Sequence, residues 1–351
     1  FTPYNTHADA RSAPATEEPT LDDLRGVLED SVAAHMVADV PVSTFLSGGL
    51  DSSLITVLAK RHAGTLDAYC IGFEDDDKAG EAMPDDMTYA RKLAAQHDVR
   101  LHEIIMRADA VDHLPSMVDA LDEPIGDAAA INTFLICKAA RDAGVKVLLS
   151  GMGADEVFGG YRRHYACLLA DRYRRLPSLV RRGLIEPLVA AAPVAVAGRG
   201  IRTTRWAKRF LDIATEDAGR AYQRSYSYFD ESGLAEFLAP EMQRYVAPLF
   251  AEHAAVWSAG EAHDAVNRMC FTDLHMFLPG LNLTYSDRAS MAASTEVRVP
   301  FVDTGVVDCA MAISGGRKVT GRTAKAVLKE ASEAWLPHEI IYRPKASFGL
   351  P

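Results

Sequence analysis

Between residues 42 and 149, short runs of β-forming residues alternate with segments of helical period, and this alternation limits the possible folds more than any other feature of the chain. The runs are Val42 to Leu46, Ala68 to Phe73, Leu101 to Ile105 and Lys146 to Leu149. Between them the spacing predicts helices from Ser52 to about His62, from about Asp86 to His97, over roughly Ala108 to Leu121 and over Ile131 to Ala143. A strand that returns parallel to its neighbour needs a crossover long enough to hold a helix. The pattern therefore predicts an α/β fold, a parallel sheet with helices on both faces. Such sheets place ligands beyond the carboxyl ends of their strands. Ahead of this region, Thr20 and Asp23 have the form of a capping box, and Leu21, Leu24, Val27, Leu28 and Val32 recur at helical spacing. A first helix ending near Asp39 is expected.

After Tyr161 the β signal fades. The chain is expected to continue as a mostly helical region from Arg162 to about Leu336, rich in aromatics and arginines, so residues 20–161 and 162–351 are read as the α/β and helical parts of one domain. Residues 1–19 carry Pro, Ala, Thr and Asp without a hydrophobic period and read as a linker arriving from an upstream segment. The acids from Glu74 to Asp86 read as a solvated loop.

Charge and cysteine usage exclude several partners. Acids outnumber bases 48 to 37, for a formal charge of -11, which opposes a nucleic-acid grip built on neutralising phosphates. The most apolar stretch, Leu184 to Ala197, is broken by Glu186, Pro187 and Pro193, so no membrane span is expected and the membrane is not expected as a partner. Five scattered cysteines with no C-x-x-C pair fit a reducing cytoplasm. A homodimer is a possible assembly, although the sequence does not reveal the oligomeric state.

The sharpest motif is Phe45-Leu46-Ser47-Gly48-Gly49-Leu50-Asp51-Ser52-Ser53, a strand end, a glycine pair and then residues able to open a helix. Small residues let the backbone close on an anion, and N–H groups and serine hydroxyls at the helix start donate to phosphate oxygens. It is neither the G-x-x-x-x-G-K-[ST] loop nor the G-x-G-x-x-G turn.

Ser47 to Ser53 resembles the pyrophosphate-binding loop of the ATP-pyrophosphatase enzymes. Three further segments narrow the resemblance to the synthetase domain of glutamine-dependent asparagine synthetases. They are Leu149-Ser150-Gly151-Met152-Gly153-Ala154-Asp155-Glu156-Val157-Phe158-Gly159-Gly160-Tyr161; Asp287 to Met291 with Glu296 to Asp303; and Tyr342-Arg343-Pro344-Lys345. The resemblance implies a two-step ligase. A substrate carboxylate attacks the α-phosphorus of ATP, pyrophosphate leaves, and ammonia displaces AMP to give an amide. It implies ATP and magnesium as cofactors, with a small carboxylate and a glutaminase domain or subunit, or free ammonia, as partners. Nucleotide contacts are implied at Leu46, Ser47, Gly48, Gly49, Asp51, Ser52, Ser53, Ile71, Ser150, Gly151 and Lys345, with metal at Asp51 and Asp155 and a catalytic lysine at Lys325.

The residues admit their own readings beside this. Two carboxylates converging on a triphosphate suit magnesium, although Asp155 also fits a helix cap. By spacing alone Lys325 is a surface helix lysine. Arg343 and Lys345 fit either phosphate contacts or solvated charge, and Glu296, Arg298, Asp287 and Arg288 fit either substrate contact or a buried charge network, of which the scaffold role is favoured. Where asparagine synthetases usually carry an acid, and β-lactam-forming relatives a tyrosine paired with a glutamate, this chain has Met152, with Leu283 at the glutamate position. Met152, Leu283 and Tyr161 are expected to line an acceptor pocket, which leaves a natural-product or sugar acid as an alternative to aspartate. A non-enzymatic nucleotide sensor is the reading from outside enzymes.

Overall fold

The computed structural model describes residues 17–73, 86–106, 112–123, 125–193, 195–196, 199–200 and 202–343. The predicted linker thus lies outside the described residues except for its last three positions, as do residues 74–85 of the acidic loop. The chain forms two compact units, which are taken separately. Among the described residues, one is built from 17–158 with 276–314 and 325–343, and the other from 159–275 and 315–324.

The first unit is the α/β part. Helix α1 (Leu21–His35) starts on the expected capping box, with Thr20 Oγ1 accepting from the Asp23 N–H and the Asp23 carboxylate accepting from the Thr20 N–H. It buries Leu24, Leu28 and Val32, and it ends four residues before the expected Asp39. Strands β1 (Val42–Phe45), β2 (Asp67–Phe73), β3 (Arg100–Met106) and β4 (Val147–Leu149) are joined by α2 (Leu50–His62), α3 (Asp86–Gln96), α4 (Leu114–Leu121) and α5 (Ala129–Asp142). All pairings in the sheet are parallel, in the order β3, β2, β1, β4, then a fifth strand, Glu296–Arg298.

Alternation along β2 shows that both faces are covered. Tyr69 and Ile71 join one cluster with Ile131, Ile136, Cys137 and Ala140 of α5 and with Ala289 and Ala293. Gly72, of opposite parity, faces α3, and a Cβ there would come within 2.6 Å of the Met87 side chain. On the α2 side the Thr56 hydroxyl donates to the Thr44 hydroxyl at 2.9 Å, which satisfies two fully buried polar groups.

The fifth strand corrects the sequence reading, which placed Glu296–Arg298 in a helical region. Three residues are too few to show a period, and their extended form is set by pairing, with Val147 opposite Glu296 and Leu149 opposite Arg298. The proposed buried charge network is also different. Arg298 bonds the half-exposed Glu296 and donates to the His35 carbonyl at the end of α1 and the Val37 carbonyl beyond it, while Arg288 meets the exposed Asp122 at 3.6 Å. The role is scaffolding, but the charges are not buried.

Among its described residues the second unit is mostly helical, with a two-residue ladder, Ala195–Val196 with Arg199–Gly200, and an isolated bridge between Thr320 and Thr323. Its core holds a charged cluster. Fully buried Asp273 accepts from His164 Nε2 at 2.9 Å and from Arg163 Nη2 at 3.0 Å, and the Tyr222 hydroxyl lies 3.0 Å from the same histidine nitrogen. Burial opposes the Asp273 charge, and these donors hold its carboxyl below the usual carboxylate range. Nearby, His253 is 3% exposed and its Nε2 has no partner among the described residues. Burial pushes its pKa down to about 4, against a weaker pull from Asp273.

A buried neutral histidine makes stability depend on pH. The unfolded chain takes up the proton near the ordinary value of 6.5, whereas the folded protein resists it down to about 4. The stabilisation is therefore complete above the unfolded pKa and is lost as pH falls through that interval. Thermal melts of the wild type should lose midpoint between about pH 7 and about pH 4.5, and His253→Gln should remove part of that loss. Identical slopes for the two proteins would show that His253 does not stay neutral in the fold.

Candidate active site

The sheet order reverses between β1 and β4, and two loops emerge side by side from the carboxyl ends of these strands. The first follows β1. Leu46 is buried and its N–H donates to the Tyr69 carbonyl at 2.9 Å, so its side chain serves the core. Gly48 has φ +65°, and a Cβ there would lie 2.6 Å from the Ala90 nitrogen, so both conformation and space require glycine. Gly49 caps α2 without a side-chain bond, and the helical ladder starts with Ser53 N–H to the Gly49 carbonyl at 3.0 Å. The N–H groups of the first turn lie ahead of that ladder, where an anion is favoured. Ser47 and Ser52 share a hydroxyl contact at 2.9 Å, which fixes the loop. Ser53 Oγ is fully buried and has no partner among the described residues.

The second loop follows β4. A Cβ on Gly151 would lie 2.7 Å from both the Asp51 carbonyl carbon and the Ser52 nitrogen, so only glycine lets this loop approach the start of α2. The Ser150 hydroxyl accepts from the Met152 N–H at 3.2 Å. Asp155 lies in the first turn of α6 (Ala154–Phe158), and its carboxylate reaches Lys325 rather than serving only as a cap.

Lys325 is not the surface lysine that spacing suggests. Its side chain is 6% exposed, and its Nζ lies 2.7 and 2.8 Å from the two Asp51 oxygens and 2.8 Å from Asp155. The residue caps the Ala326–Ser332 helix with φ +53°, a left-handed conformation that turns the side chain into the site. Burial alone would favour the neutral amine, but the two carboxylates outweigh it and hold the ammonium charged well above the ordinary lysine range. Removing one partner from a fully buried charge pair costs about 3–5 kcal/mol. The 26% and 20% exposure of the Asp51 and Asp155 side chains reduces that figure here.

Arg343 adds a second cation. Its side chain is 7% exposed, which excludes the solvated reading, and it donates to Asp86 at 2.8 Å and stacks over the Tyr89 ring at 4.8 Å. One of its terminal nitrogens lies 3.6 Å from where a Cβ on Gly49 would stand, and the other, Nη1, is buried without a partner among the described residues. Asp86 therefore leaves the predicted solvated loop and positions this arginine. Lys345 lies outside the described residues.

The remaining candidates divide. The Ile71 side chain belongs to the sheet core, which leaves only its main chain for a ligand. Met152 packs with Leu121, Ile125, Ala129, Leu281 and Tyr285. The apolar residue this cluster takes from the 273–283 segment is Leu281 and not Leu283, because π-helical winding there changes which positions share a face. Tyr161 falls in the helical unit, with the Arg163 guanidinium 3.8 Å from its ring centre. Sequence reasoning gave Glu156 no role, yet it is 1% exposed and accepts from Asn282 at 2.6 Å. A charge set among Ala154, Val157 and Phe158 on a short helix was the available signal.

The residues fit a magnesium–triphosphate ligand. Two converging carboxylates, an uncapped helix start, an orphaned buried serine hydroxyl and a glycine cradle are what such a ligand uses, and Asp51 with Asp155 would hold the metal. Among the described residues there is no group of three or more His, Cys, Asp or Glu side chains able to hold an ion alone.

The family model for asparagine synthase matches residues 23–351. A putative glutamine-hydrolyzing asparagine synthetase of Mycobacterium tuberculosis is 35% identical over 340 residues, covering 95% of this chain and 49% of its own length. Asparagine synthetase 1 of Bacillus subtilis is 30% identical over 355 residues, covering 99% and 52%. The chain thus spans about half the length of these relatives. The solved NMN synthetase of Francisella tularensis aligns at a TM-score of 0.32 and 15% identity, covering 60% of this chain and 95% of its own.

The close approach of the two loops is testable. Gly151→Ala puts a methyl against backbone atoms that cannot move independently, and it should weaken ATP binding at least about ten-fold by calorimetry. Gly183→Ala, where nothing lies within 4 Å, should leave affinity unchanged. Equal affinities for both variants would refute the cradle.

Proposed function

The chain belongs to the asparagine synthase family, and on that premise we propose that it is an ATP-dependent, amide-forming synthetase unit that adenylates a small carboxylate and passes it to ammonia. The observation that carries this reading is the convergence of Asp51, Asp155 and Lys325 where the phosphate loop begins α2. A carboxylate oxygen bonds to the α-phosphorus of ATP and pyrophosphate leaves with the electrons of the broken bond. Ammonia then attacks the acyl carbon, AMP departs, and the nitrogen loses a proton to give the amide. Both steps build negative charge, which Lys325, the first-turn N–H groups of α2 and Arg343 are placed to offset. Bound magnesium supplies further positive charge to the phosphates. In this proposal ammonia comes from glutamine, hydrolysed on another domain or subunit.

Carboxylate-dependent exchange between pyrophosphate and ATP is the direct test. Asp51→Asn should abolish exchange while the fold is retained, and Lys325→Ala should lower turnover about 10²–10³-fold with a smaller effect on ATP affinity. Wild-type exchange in Asp51→Asn would overturn the site assignment. Equal losses of affinity and turnover in the lysine variant would make Lys325 a ground-state binding group.

The surroundings of Met152 favour a second reading of the acceptor. Its cluster with Leu121, Ile125, Leu281 and Tyr285 supplies an apolar wall where an acid is usual in the family. Burial also raises the pKa of the Tyr285 hydroxyl, with Asp127 and Glu156 adding to the effect, so it stays protonated and can donate. A carboxylate other than aspartate, such as a sugar acid or a natural-product intermediate, suits this wall better. Across a panel of acids, a non-aspartate substrate should have the highest kcat/KM; aspartate ranking first would return the protein to plain asparagine synthesis.

A further inference from the structure

Ten of the 37 Lys and Arg residues lie in residues 172–209, together with only one acid, Glu186, so this stretch carries a formal charge of +9 in a chain whose total is -11. It lies wholly in the helical unit. There the segment from Ser178 to Ala191 and the helix Arg202–Ala214 adjoin, and Lys208 Nζ donates to the Ala190 carbonyl at 3.0 Å. Their inner faces are accounted for, since Ile185, Phe210 and Leu211 pack on Ala170, Tyr173 and Ala214.

The outer faces are apolar as well. Leu179 is 86% exposed, Leu188 63%, Leu184 56% and Trp206 54%. Leu184 lies in the π-helical turn Arg181–Ile185 and Leu188 in the helix Glu186–Ala191 that follows it. Arg172, Arg175, Arg182, Arg205 and Arg209 are exposed around them and form no ion pair among the described residues.

We propose that this surface docks on an anionic lipid bilayer, with Leu179, Leu184, Leu188 and Trp206 entering the headgroup boundary and the arginines at phosphate depth. Charge complementarity selects an anionic partner. The apolar side chains select lipid over an acidic protein, because they project into solvent instead of lining a recess, and projecting leucine and tryptophan rimmed by arginine is the pattern of a segment that lies in a membrane interface. No helix among the described residues is long and apolar enough to cross a membrane, and surface docking needs none. The expectation that the membrane is not a partner rested on the absence of a span alone.

Co-sedimentation with vesicles tests this. The chain should bind vesicles of equimolar phosphatidylcholine and phosphatidylglycerol, should ignore phosphatidylcholine alone, and should lose at least about ten-fold in affinity between about 0.1 M and about 0.5 M salt. Leu179→Ser combined with Leu188→Ser should weaken binding about ten-fold or more with an unchanged melting midpoint, since both side chains already face solvent. Trp206 emission should shift to the blue on the anionic vesicles, and the shift should vanish in Trp206→Phe. Absence of binding, equal binding to neutral vesicles, or binding indifferent to the leucine pair would overturn the proposal. So would binding to an acidic polypeptide with none to the anionic vesicles.

Discussion

The parallel pairing of β1 with β4 is the constraint on which the site depends. Val42 opposite Val147 and Thr44 opposite Leu149 set the heights at which the two strands release their loops. A slip of one residue would move one loop by about 3.3 Å and reverse its side chains. Gly151 now lies against the Asp51 and Ser52 backbone with no room for a methyl, so such a slip would either open the cradle or drive backbone into backbone. The Glu296–Arg298 strand guards the register from the other side, where the Ser150 N–H donates to the Arg298 carbonyl at 2.8 Å and the Arg298 guanidinium holds the end of α1.

Charge in the site follows from that placement. Asp51 and Asp155 together carry two negative charges where a polyanion is to arrive, in a chain that is acidic overall. Lys325 cancels one of them at contact distance, and Arg343 stands beside Gly49 with a nitrogen that has no partner among the described residues. The first turn of α2 adds the equivalent of about half a positive charge. A net charge of -11 is compatible with phosphate binding because these local donors act within a few ångströms, whereas distant surface charge is screened within about 10 Å at moderate salt.

Much of this was legible in the sequence, for identifiable reasons. Four strands showed because each is a run of β-forming residues closed by a turn, and the phosphate loop showed because its glycines and hydroxyls follow a strand directly. The Glu296–Arg298 strand did not, because its form comes from its neighbour and not from its own three residues. Asp86 was read with the acids before it, although its partner is Arg343, 257 positions away. Leu283 was placed by its alignment with the glutamate position of relatives, whereas the apolar residue in the cluster with Met152 is Leu281, and composition does not reveal the π-helical winding of that segment.

Lys325 shows most clearly why the site resists local reading. Among the described residues, three other non-glycine residues have positive φ: Asp98, Asp122 and Ser294. Each follows the carboxyl end of a helix, where a left-handed residue is a routine stop. Lys325 instead precedes a helix, where extended backbone is normal and a left-handed lysine costs about 1–3 kcal/mol. Its two carboxylate contacts are of the right size to hold that strain. The same small region collects Gly48 in a conformation closed to side chains, Gly151 without room for one, and buried atoms on Ser53 and Arg343 that have no partner among the described residues. A fold that needed only to be stable would relieve each of these separately; their collection around one pair of carboxylates is what supports the proposed ligand site.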